Sequence, residues 1–326
     1  MIEFEGKRYA IEPEESVLDC LLRHGVSVDF LCRGGLCQAC VLRATAGQVP
    51  AGAQAGLRSS LKEQGVFLSC QCRPACDLEI ERCEVTRTYA SRILGVEELG
   101  ERVLRVSLER PPDFEYRSGQ FIHLVRPADA LARAYSLASL ADASVLELHV
   151  ARQPLGQMSG WLERSAGEPV ELRGPFGECF YRDDEPERPL LLAATGTGLA
   201  PLSGVLRTAA RHAHRGAVTL IHGSPELSGL YFRRELESLV DALPRLNLIG
   251  SVLAEGAGQS VSGRFRISPV PLDELLFAEH PNLSQTRVYL SGNPELVQRL
   301  KKRAYLAGAS LDRIHADPFA AAAPPP

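Results

Sequence analysis

The hydrophobic and polar positions divide the chain into three stretches with different periods. In the first, segment 16–25 places apolar residues at helical spacing between a capping serine and a stopping glycine. Short strands are expected near residues 41–45, 66–69 and 77–82. The pattern therefore predicts a small α+β domain over residues 1–84.

The two later stretches differ from the first and from each other. Residues 85–186 contain short, evenly spaced strand-like runs, which predict an antiparallel β-barrel or sandwich with one helix-like segment at 158–167. Over residues 187–319, apolar strands alternate with helices such as 229–243, which predicts an α/β domain with a doubly wound, mostly parallel sheet. The composition of residues 320–326 predicts a disordered tail.

Charge and length exclude several classes of function. The 326 residues carry 36 Lys+Arg against 40 Asp+Glu, a net charge of -4, so no basic excess indicates nucleic acid or an anionic membrane as a partner. The polar, acidic start does not resemble a signal peptide, and no run approaches the roughly 20 apolar residues of a membrane span. We therefore expect a cytoplasmic protein, and we expect it to be monomeric.

Cysteine is the unusual residue of this composition. Eight of the nine cysteines lie in the first 83 residues. The spacing C-x4-C-x2-C, with a fourth cysteine after 29 intervening residues, is that of a plant-type [2Fe–2S] site. A zinc site is the weaker alternative, because a single C-x2-C knuckle is present, and Cys72 and Cys76 are weaker candidates for the fourth ligand. The predicted cluster ligands are Cys32, Cys37, Cys40 and Cys70.

The segments FLCRGGLCQACVLRATAG and FLSCQCRP resemble the ferredoxin module that is fused to oxygenase-type reductases. The resemblance implies a β-grasp-like fold. Gly34 and Gly35 would let the loop curl so that backbone N–H groups face the cluster sulfurs. Gln38 departs from the family, in which a small residue, often glycine, is common at this position.

The segment Arg133-Ala-Tyr135-Ser136 and the later Gly156-Gln-Met-Ser159 resemble the flavin domain of the ferredoxin–NADP reductase superfamily. The resemblance implies that Arg133 binds flavin phosphate, Tyr135 lies against the isoalloxazine and Ser136 bonds near N5. Gly156 and Ser159 would contact a pyrophosphate, which implies FAD rather than FMN. The alternative is an ordinary barrel strand, with Tyr135 as a core aromatic residue and Ser159 as a helix cap.

A glycine turn follows the first apolar strand of the third stretch. The segment TGTGLAP resembles the nicotinamide-side motif of the same superfamily, with Pro201 at the position of the last glycine of the dinucleotide fingerprint. The residues that the resemblance places at the dinucleotide are Gly196, Thr197, Gly198, Pro201 and Gly292.

Two further positions are expected beside the reacting rings. VYLSGNPELV resembles the family's V-Y-x-C-G-P-P-x-M segment, with Ser291 in place of the usual cysteine. Phe319 is either an aromatic residue near the flavin or a terminal anchor. Together with Tyr135 and Ser136, these are the predicted catalytic residues. NADH is favoured over NADPH, because Ser224 and not an arginine ends the second strand of this stretch.

The resemblance covers residues 1–319 and implies an NAD(P)H-dependent iron–sulfur flavoprotein reductase. Nicotinamide delivers two electrons and a cluster carries one, so a flavin between them is chemically required. We expect electrons to pass from NADH through FAD and a [2Fe–2S] cluster to a separate acceptor, an oxygenase component. The alternatives are a non-oxygenase acceptor such as a deoxysugar dehydrase, or an electron-carrier module whose dehydrogenase half has decayed, for which Ser291 and Gln38 are the motif-level support.

Overall fold

The computed structural model describes residues 1–57, 59–83, 87–253 and 260–319. The chain divides into two compact units, Met1–Arg87 and Thr88–Phe319. The predicted tail at 320–326 lies outside the described residues. Among the described helices, none is long and apolar enough to cross a membrane.

The first unit is the predicted α+β domain. Its sheet has the order β2-β1-β5-β3-β4, with β1 and β5 parallel and the other neighbours antiparallel. The Ser16 hydroxyl accepts the Asp19 N–H (3.1 Å) and caps the first helix, as the sequence predicts. The elements are β1 (Ile2–Phe4), β2 (Lys7–Tyr9), α1 (Val17–Arg23), β3 (Val41–Ala46), α2 (Ser59–Glu63), β4 (Val66–Leu68) and β5 (Leu78–Arg82).

The second unit begins with a six-stranded antiparallel sheet of order β10-β7-β6-β11-β8-β9. Among the described residues, its two edges meet at one isolated bridge, Leu137 to Leu148, so the sheet curls into the predicted barrel without a continuous closing ladder. Its elements are β6 (Thr88–Gly100), β7 (Val103–Glu109), β8 (Phe121–Arg126), β9 (Leu131–Ser136), β10 (Val145–Ala151), α3 (Gln157–Leu162) and β11 (Pro169–Phe176).

The rest of this unit is the predicted doubly wound sheet, of order β15-β16-β14-β13-β12-β17-β18. All its neighbours are parallel except β15 and β16. The strands are β12 (Leu190–Thr195), β13 (Val218–Ser224), β14 (Leu246–Val252), β15 (Ser260–Ser262), β16 (Phe265–Ser268), β17 (Arg287–Gly292) and β18 (Ile314–Pro318). The helices are α4 (Leu199–Arg211), α5 (Arg233–Ser238), α6 (Leu272–Glu279) and α7 (Pro294–Leu306).

The strand order places a topological switch between β12 and β17. The chain runs outward from β12 through β13, β14 and β16, then returns to the other side of β12 as β17 and β18. The crevice at the carboxyl ends of such strands is where doubly wound sheets bind their ligands. The predicted nicotinamide turn and Gly292 both lie at this crevice.

The predicted helix at 229–243 is shorter than expected, and this expectation was wrong. Only residues 233–238 are α-helical. The helix cannot begin earlier, because Phe232 adopts a left-handed backbone (φ 62°) that interrupts the helical conformation. Phe232 is buried, and its ring lies 4.7 Å from that of His149. Packing against the barrel therefore overrides the helical pattern.

A buried polar cluster joins the barrel to the doubly wound sheet within the second unit. Arg207 of α4 donates to Ala138 O (2.9 Å) and to Glu147 of β10 (3.3 Å). Burial acts to raise the pKa of Glu147, but hydrogen bonding to His149 and the nearby Arg207 and Arg105 hold it at about 2. Helix α4, which begins at the nicotinamide turn, is thereby fixed against the barrel strands.

Candidate cofactor sites

The cysteine loop lies between α1 and β3 and turns its backbone amides toward sulfur. Cys32 Sγ accepts N–H groups from Gly34 (3.3 Å) and Cys37 (3.4 Å). Gln38 has a left-handed backbone (φ 59°). This conformation costs a residue with a side chain about 1 kcal/mol, which explains why glycine suits the position. Its side chain donates to Gly56 O (3.2 Å), so the departure from the family leaves the loop intact.

The four predicted ligands form two pairs of adjacent thiols. Hydrogen bonding from Cys37 lowers the pKa of Cys32 to about 5, and hydrogen bonding from Cys40 lowers that of Cys70 to about 7. Cys40 O accepts both the N–H (3.0 Å) and the hydroxyl (2.8 Å) of Ser69, which fastens the turn that carries Cys70 to the loop.

This donor set fits a two-iron cluster better than a single ion. Among the described residues, no group of three or more His, Cys, Asp or Glu side chains converges as a mononuclear site requires. Two thiol pairs, with amide N–H groups directed at sulfur, would provide four thiolates for two irons in an environment that stabilises negative charge.

The remaining cysteines near the loop are arranged differently. Cys72 is fully buried, which raises the pKa of its thiol to about 12, and the thiol that influences it is the exposed Cys76 rather than one of the four. Its carbonyl accepts the N–H of Val17 (2.9 Å) at the start of α1. The geometry favours Cys72 as a structural residue of the core.

The flavin residues lie at the carboxyl end of β9. Arg133 and Tyr135 alternate with Ala134 and face the same side of the strand. Tyr135 packs partly buried against the barrel core, and Ser136 is buried. Arg133 donates to the neighbouring Ala132 O (2.7 Å). The strand therefore presents a cation and an aromatic ring on one face, and the Ser136 hydroxyl lies on the opposite face at its carboxyl end.

Helix α3 supplies the other predicted flavin contacts. Gly156 precedes its first turn, and Ser159 is buried within it. The Ser159 hydroxyl accepts Gln153 N–H (3.2 Å) and donates to Gly156 O (3.3 Å), so it is engaged inside its own turn. An open cavity of about 470 Å³ begins at Gly156 and extends along the helix past Trp161.

The two predicted nicotinamide turns touch backbone to backbone at the crevice. A Cβ on Gly198 would lie 2.5 Å from Ser291 O, and one on Gly292 would lie 2.6 Å from Thr195 O. The Thr195 hydroxyl accepts the N–H of Asn293 (2.9 Å). These contacts require glycine at both positions and leave the turn Gly196–Gly198 open to solvent on its outer side.

Ser136 of the barrel and Ser291 of the doubly wound sheet meet at one residue of β18. Ser136 Oγ donates to the Asp317 carboxylate (3.2 Å), and Ser291 Oγ donates to Asp317 O (3.1 Å). Burial raises the pKa of Asp317 to about 7, although the bond from Ser136 acts to lower it. Phe319 lies just beyond and donates its N–H to Gly292 O (2.8 Å).

The structure thus brings two groups of predicted residues together. One is the set of four thiols, and the other joins Ser136 and Ser291 to the glycine turns and Phe319. Pro201 is buried in the first turn of α4, and Thr197 lies partly exposed in the turn. Asp317 was missed by the sequence reasoning, and its position in ADPF, beside the predicted Phe319, is the signal that could have indicated it.

Three family models match successive parts of the chain, in the same order as the predicted cluster, flavin and nicotinamide sites. The family described as 2Fe-2S iron-sulfur cluster binding domain matches residues 2–75. The oxidoreductase FAD-binding domain matches residues 98–181, and the oxidoreductase NAD-binding domain matches residues 192–302.

Relatives match nearly the full length of the chain. The aromatic O-demethylase reductase subunit of an Amycolatopsis species is 32% identical over 96% of both chains. The terephthalate 1,2-dioxygenase reductase component 1 of a Comamonas species is 28% identical over 94% of this chain and 93% of its own. The crystal structure of a cytochrome P450 reductase from Amycolatopsis, at 29% identity, has a TM-score of 0.69 and covers 98% of each chain.

The chain belongs to the ferredoxin-fused iron–sulfur flavoprotein reductases of the ferredoxin–NADP reductase superfamily. Its cofactors are a [2Fe–2S] cluster, FAD and NAD(H). It is an NAD(P)H oxidoreductase that passes electrons through FAD and the cluster to a separate acceptor.

The thiol pairing favours Cys70 over Cys72 as the predicted fourth ligand. We expect Cys70→Ser to lose the visible bands of the cluster while it retains FAD that is bleached by NADH, because the two sites use separate residues. Cys72→Ser is the matched control and should retain both chromophores. Absorbance and iron content of the purified variants measure this, and a complete cluster in Cys70→Ser would contradict the assignment.

The Ser136–Asp317 bond predicts that the rate of flavin reduction depends on pH. The pKa of Asp317 is about 7, so the carboxylate accepts the Ser136 proton above that pH and loses its charge below it. We expect stopped-flow flavin reduction by NADH to slow between pH 6 and 8, because an ionised Asp317 accepts the single Ser136 proton, which is then no longer available for donation to N5 of the oxidised flavin. Asp317→Asn should give a flat profile, and an unchanged profile in that variant would exclude the role.

Proposed function

We propose that this protein takes hydride from NADH and supplies single electrons to an oxygenase component. The observation that carries the proposal is the presence of a paired four-thiol site, a flavin strand and a nicotinamide crevice in one chain. The printed names of the relatives, an aromatic O-demethylase reductase subunit and a terephthalate dioxygenase reductase component, support an oxygenase as acceptor. A cytoplasmic location is part of the proposal, since a reducing compartment would keep the four thiols available to a cluster.

Each residue has a proposed role in this function. Cys32, Cys37, Cys40 and Cys70 would hold the cluster, which carries one electron at a time. Arg133 would neutralise flavin phosphate, Tyr135 would support the ring, and the backbone at Gly156 and Ser159 would face the pyrophosphate. Gly196, Thr197, Gly198, Pro201 and Gly292 would form the dinucleotide crevice, with Ser136, Ser291 and Phe319 beside the reacting rings.

The geometry argues against a decayed dehydrogenase half. Ser291 is buried and bonded to the backbone of Asp317, so replacing the usual cysteine leaves the crevice formed. Gln38 likewise sits in the loop conformation that the family's glycine would take. Both departures from the family pattern are therefore compatible with a working site.

Anaerobic addition of NADH to the purified protein tests the electron path. We expect both the flavin and the cluster bands to bleach, and later addition of cytochrome c to reoxidise the protein in one-electron steps. Cys70→Ser should still bleach its flavin but transfer electrons to cytochrome c far more slowly. A protein that shows cofactor bands but no bleaching with NADH or NADPH would refute the proposed function.

The preference for NADH rests on the end of β13. The strand ends at Ser224, and the exposed Glu226 follows two residues later with Ser228 as its hydrogen-bond donor (3.4 Å). A carboxylate can accept bonds from the ribose hydroxyls of NADH, whereas it repels the 2′-phosphate of NADPH. The position of this charge at the carboxyl edge of the sheet supports NADH.

We therefore expect Glu226→Gln to raise kcat/KM for NADPH about fivefold, since removal of roughly 1 kcal/mol of repulsion changes an affinity by that factor. Steady-state kinetics with both nucleotides measure this. Asp241→Asn is the charge-matched control, because Asp241 is exposed between α5 and β14, at the opposite edge of the sheet. An equal gain in both variants would show a general charge effect instead.

A further inference from the structure

A buried histidine supports the nicotinamide turn from behind. His222 lies on β13, beside Ala194 of β12, and is fully buried. Its Nε2 is 3.1 Å from Gly196 O, the carbonyl of the first glycine of the turn. This contact joins the second strand of the sheet to the turn that begins after the first.

The protonation state of His222 follows from its surroundings. Burial lowers the pKa of His222 to about 4, so the ring is neutral at pH 7. A carbonyl oxygen can only accept, and therefore the single ring proton is on Nε2 and is donated to Gly196. Among the described residues, Nδ1 has no hydrogen-bond partner, so the contact with the turn is the polar bond that this ring makes.

The Gly196 carbonyl accepts two bonds, one from His222 and one from the backbone N–H of Leu199 that closes the turn, and together they set the direction of the next amide. In a trans peptide, the C=O and the following N–H point to opposite sides. Since Gly196 O points inward to His222, the Thr197 N–H points outward. Gly196 itself is exposed, and a Cβ built on it would meet no atom within 4 Å. The outward N–H therefore faces the open side of the crevice.

The ring of His222 is held in place by contacts that lead to the barrel. Tyr231 meets it edge to face, with centroids 5.7 Å apart. The Tyr231 hydroxyl is 3.0 Å from His149 Nδ1, and His149 Nε2 is 2.8 Å from the Glu147 carboxylate. Glu147 is ionised, so His149 donates to it and accepts from Tyr231. This chain of contacts fixes the orientation of the aromatic ring that supports His222.

We infer that His222 is a positioning residue that presets the Thr197 N–H as a donor to a phosphate oxygen of the dinucleotide. The inference rests on the proposed use of NAD(P)H. A peptide plane fixed before binding loses little entropy when the phosphate arrives, so the bond contributes to nucleotide affinity rather than to the hydride step. Nothing in this role requires His222 to touch the cofactor.

Two amide substitutions separate positioning from simple filling of the core. In His222→Gln, the side-chain NH2 reaches to the place of Nε2, whereas in His222→Asn it stops near the place of Nδ1. We expect KM for NADH and the Kd for ADP-ribose to rise about 3- to 10-fold in His222→Asn, the value of one hydrogen bond. In His222→Gln both constants should stay within about twofold of the wild type.

Quantities that do not depend on nucleotide binding should be unchanged in both folded variants. FAD content and kcat are expected to be unchanged, because the flavin residues are on other elements. A loss of FAD and of kcat in both variants, or equal nucleotide affinity in the two variants, would overturn the inference. Wild-type protein that is not bleached by NADH would instead refute the proposed function, so the two failures are distinguishable.

A measurement on the wild type keeps the inference testable if a variant does not fold. Hydrogen exchange of the segment that contains Thr197 should slow when ADP-ribose is added, because its outward N–H acquires an acceptor. The segment at Gly95, on barrel strand β6, serves as an internal reference and should exchange at an unchanged rate. Exchange at Thr197 that is insensitive to saturating ADP-ribose would overturn the inference.

Discussion

The close approach of two backbone turns at the carboxyl ends of β12 and β17 is the constraint on which the reductase unit depends. Gly198 and Gly292 lie so near Ser291 and Thr195 that any side chain would collide with main-chain atoms. Main-chain atoms cannot yield as the end of a flexible side chain can. The crevice therefore has a fixed shape, and the N–H groups around it are oriented before a nucleotide binds.

Helix α4 connects this crevice to the predicted flavin strand, so the positions of the two are coupled. The helix starts at the turn and is tied by Arg207 to Ala138, two residues beyond Ser136. Asp317 makes a second link, since its carboxylate binds Ser136 while its carbonyl binds Ser291. Hydride transfer requires the donor and acceptor atoms to be held at near contact. Both links act on the residues that would flank those atoms.

The sequence predicted the parts of the sites that depend on local spacing. The cysteine loop, the RAYS strand and the glycine turn each lie within one short segment, so their spacing indicates their geometry directly. The Asp317–Ser136 bond joins residues 181 positions apart, which no local pattern encodes. The shortened α5 and the contact between His222 and Gly196 O likewise follow from no local pattern, because burial and contacts across the sheet decide them.

The replacement of the family's usual cysteine by Ser291 shows how a local sequence motif and long-range contacts act at the same position. A hydroxyl is a stronger donor than a thiol, and here it is committed to Asp317 O at 3.1 Å. That bond leaves the Asp317 carboxylate available to Ser136 and ties β17 to β18 at the crevice. Because the flavin and not residue 291 accepts the hydride, the proposed electron path does not require a thiol at this position. A residue that breaks the sequence motif thus preserves the geometry that the motif serves.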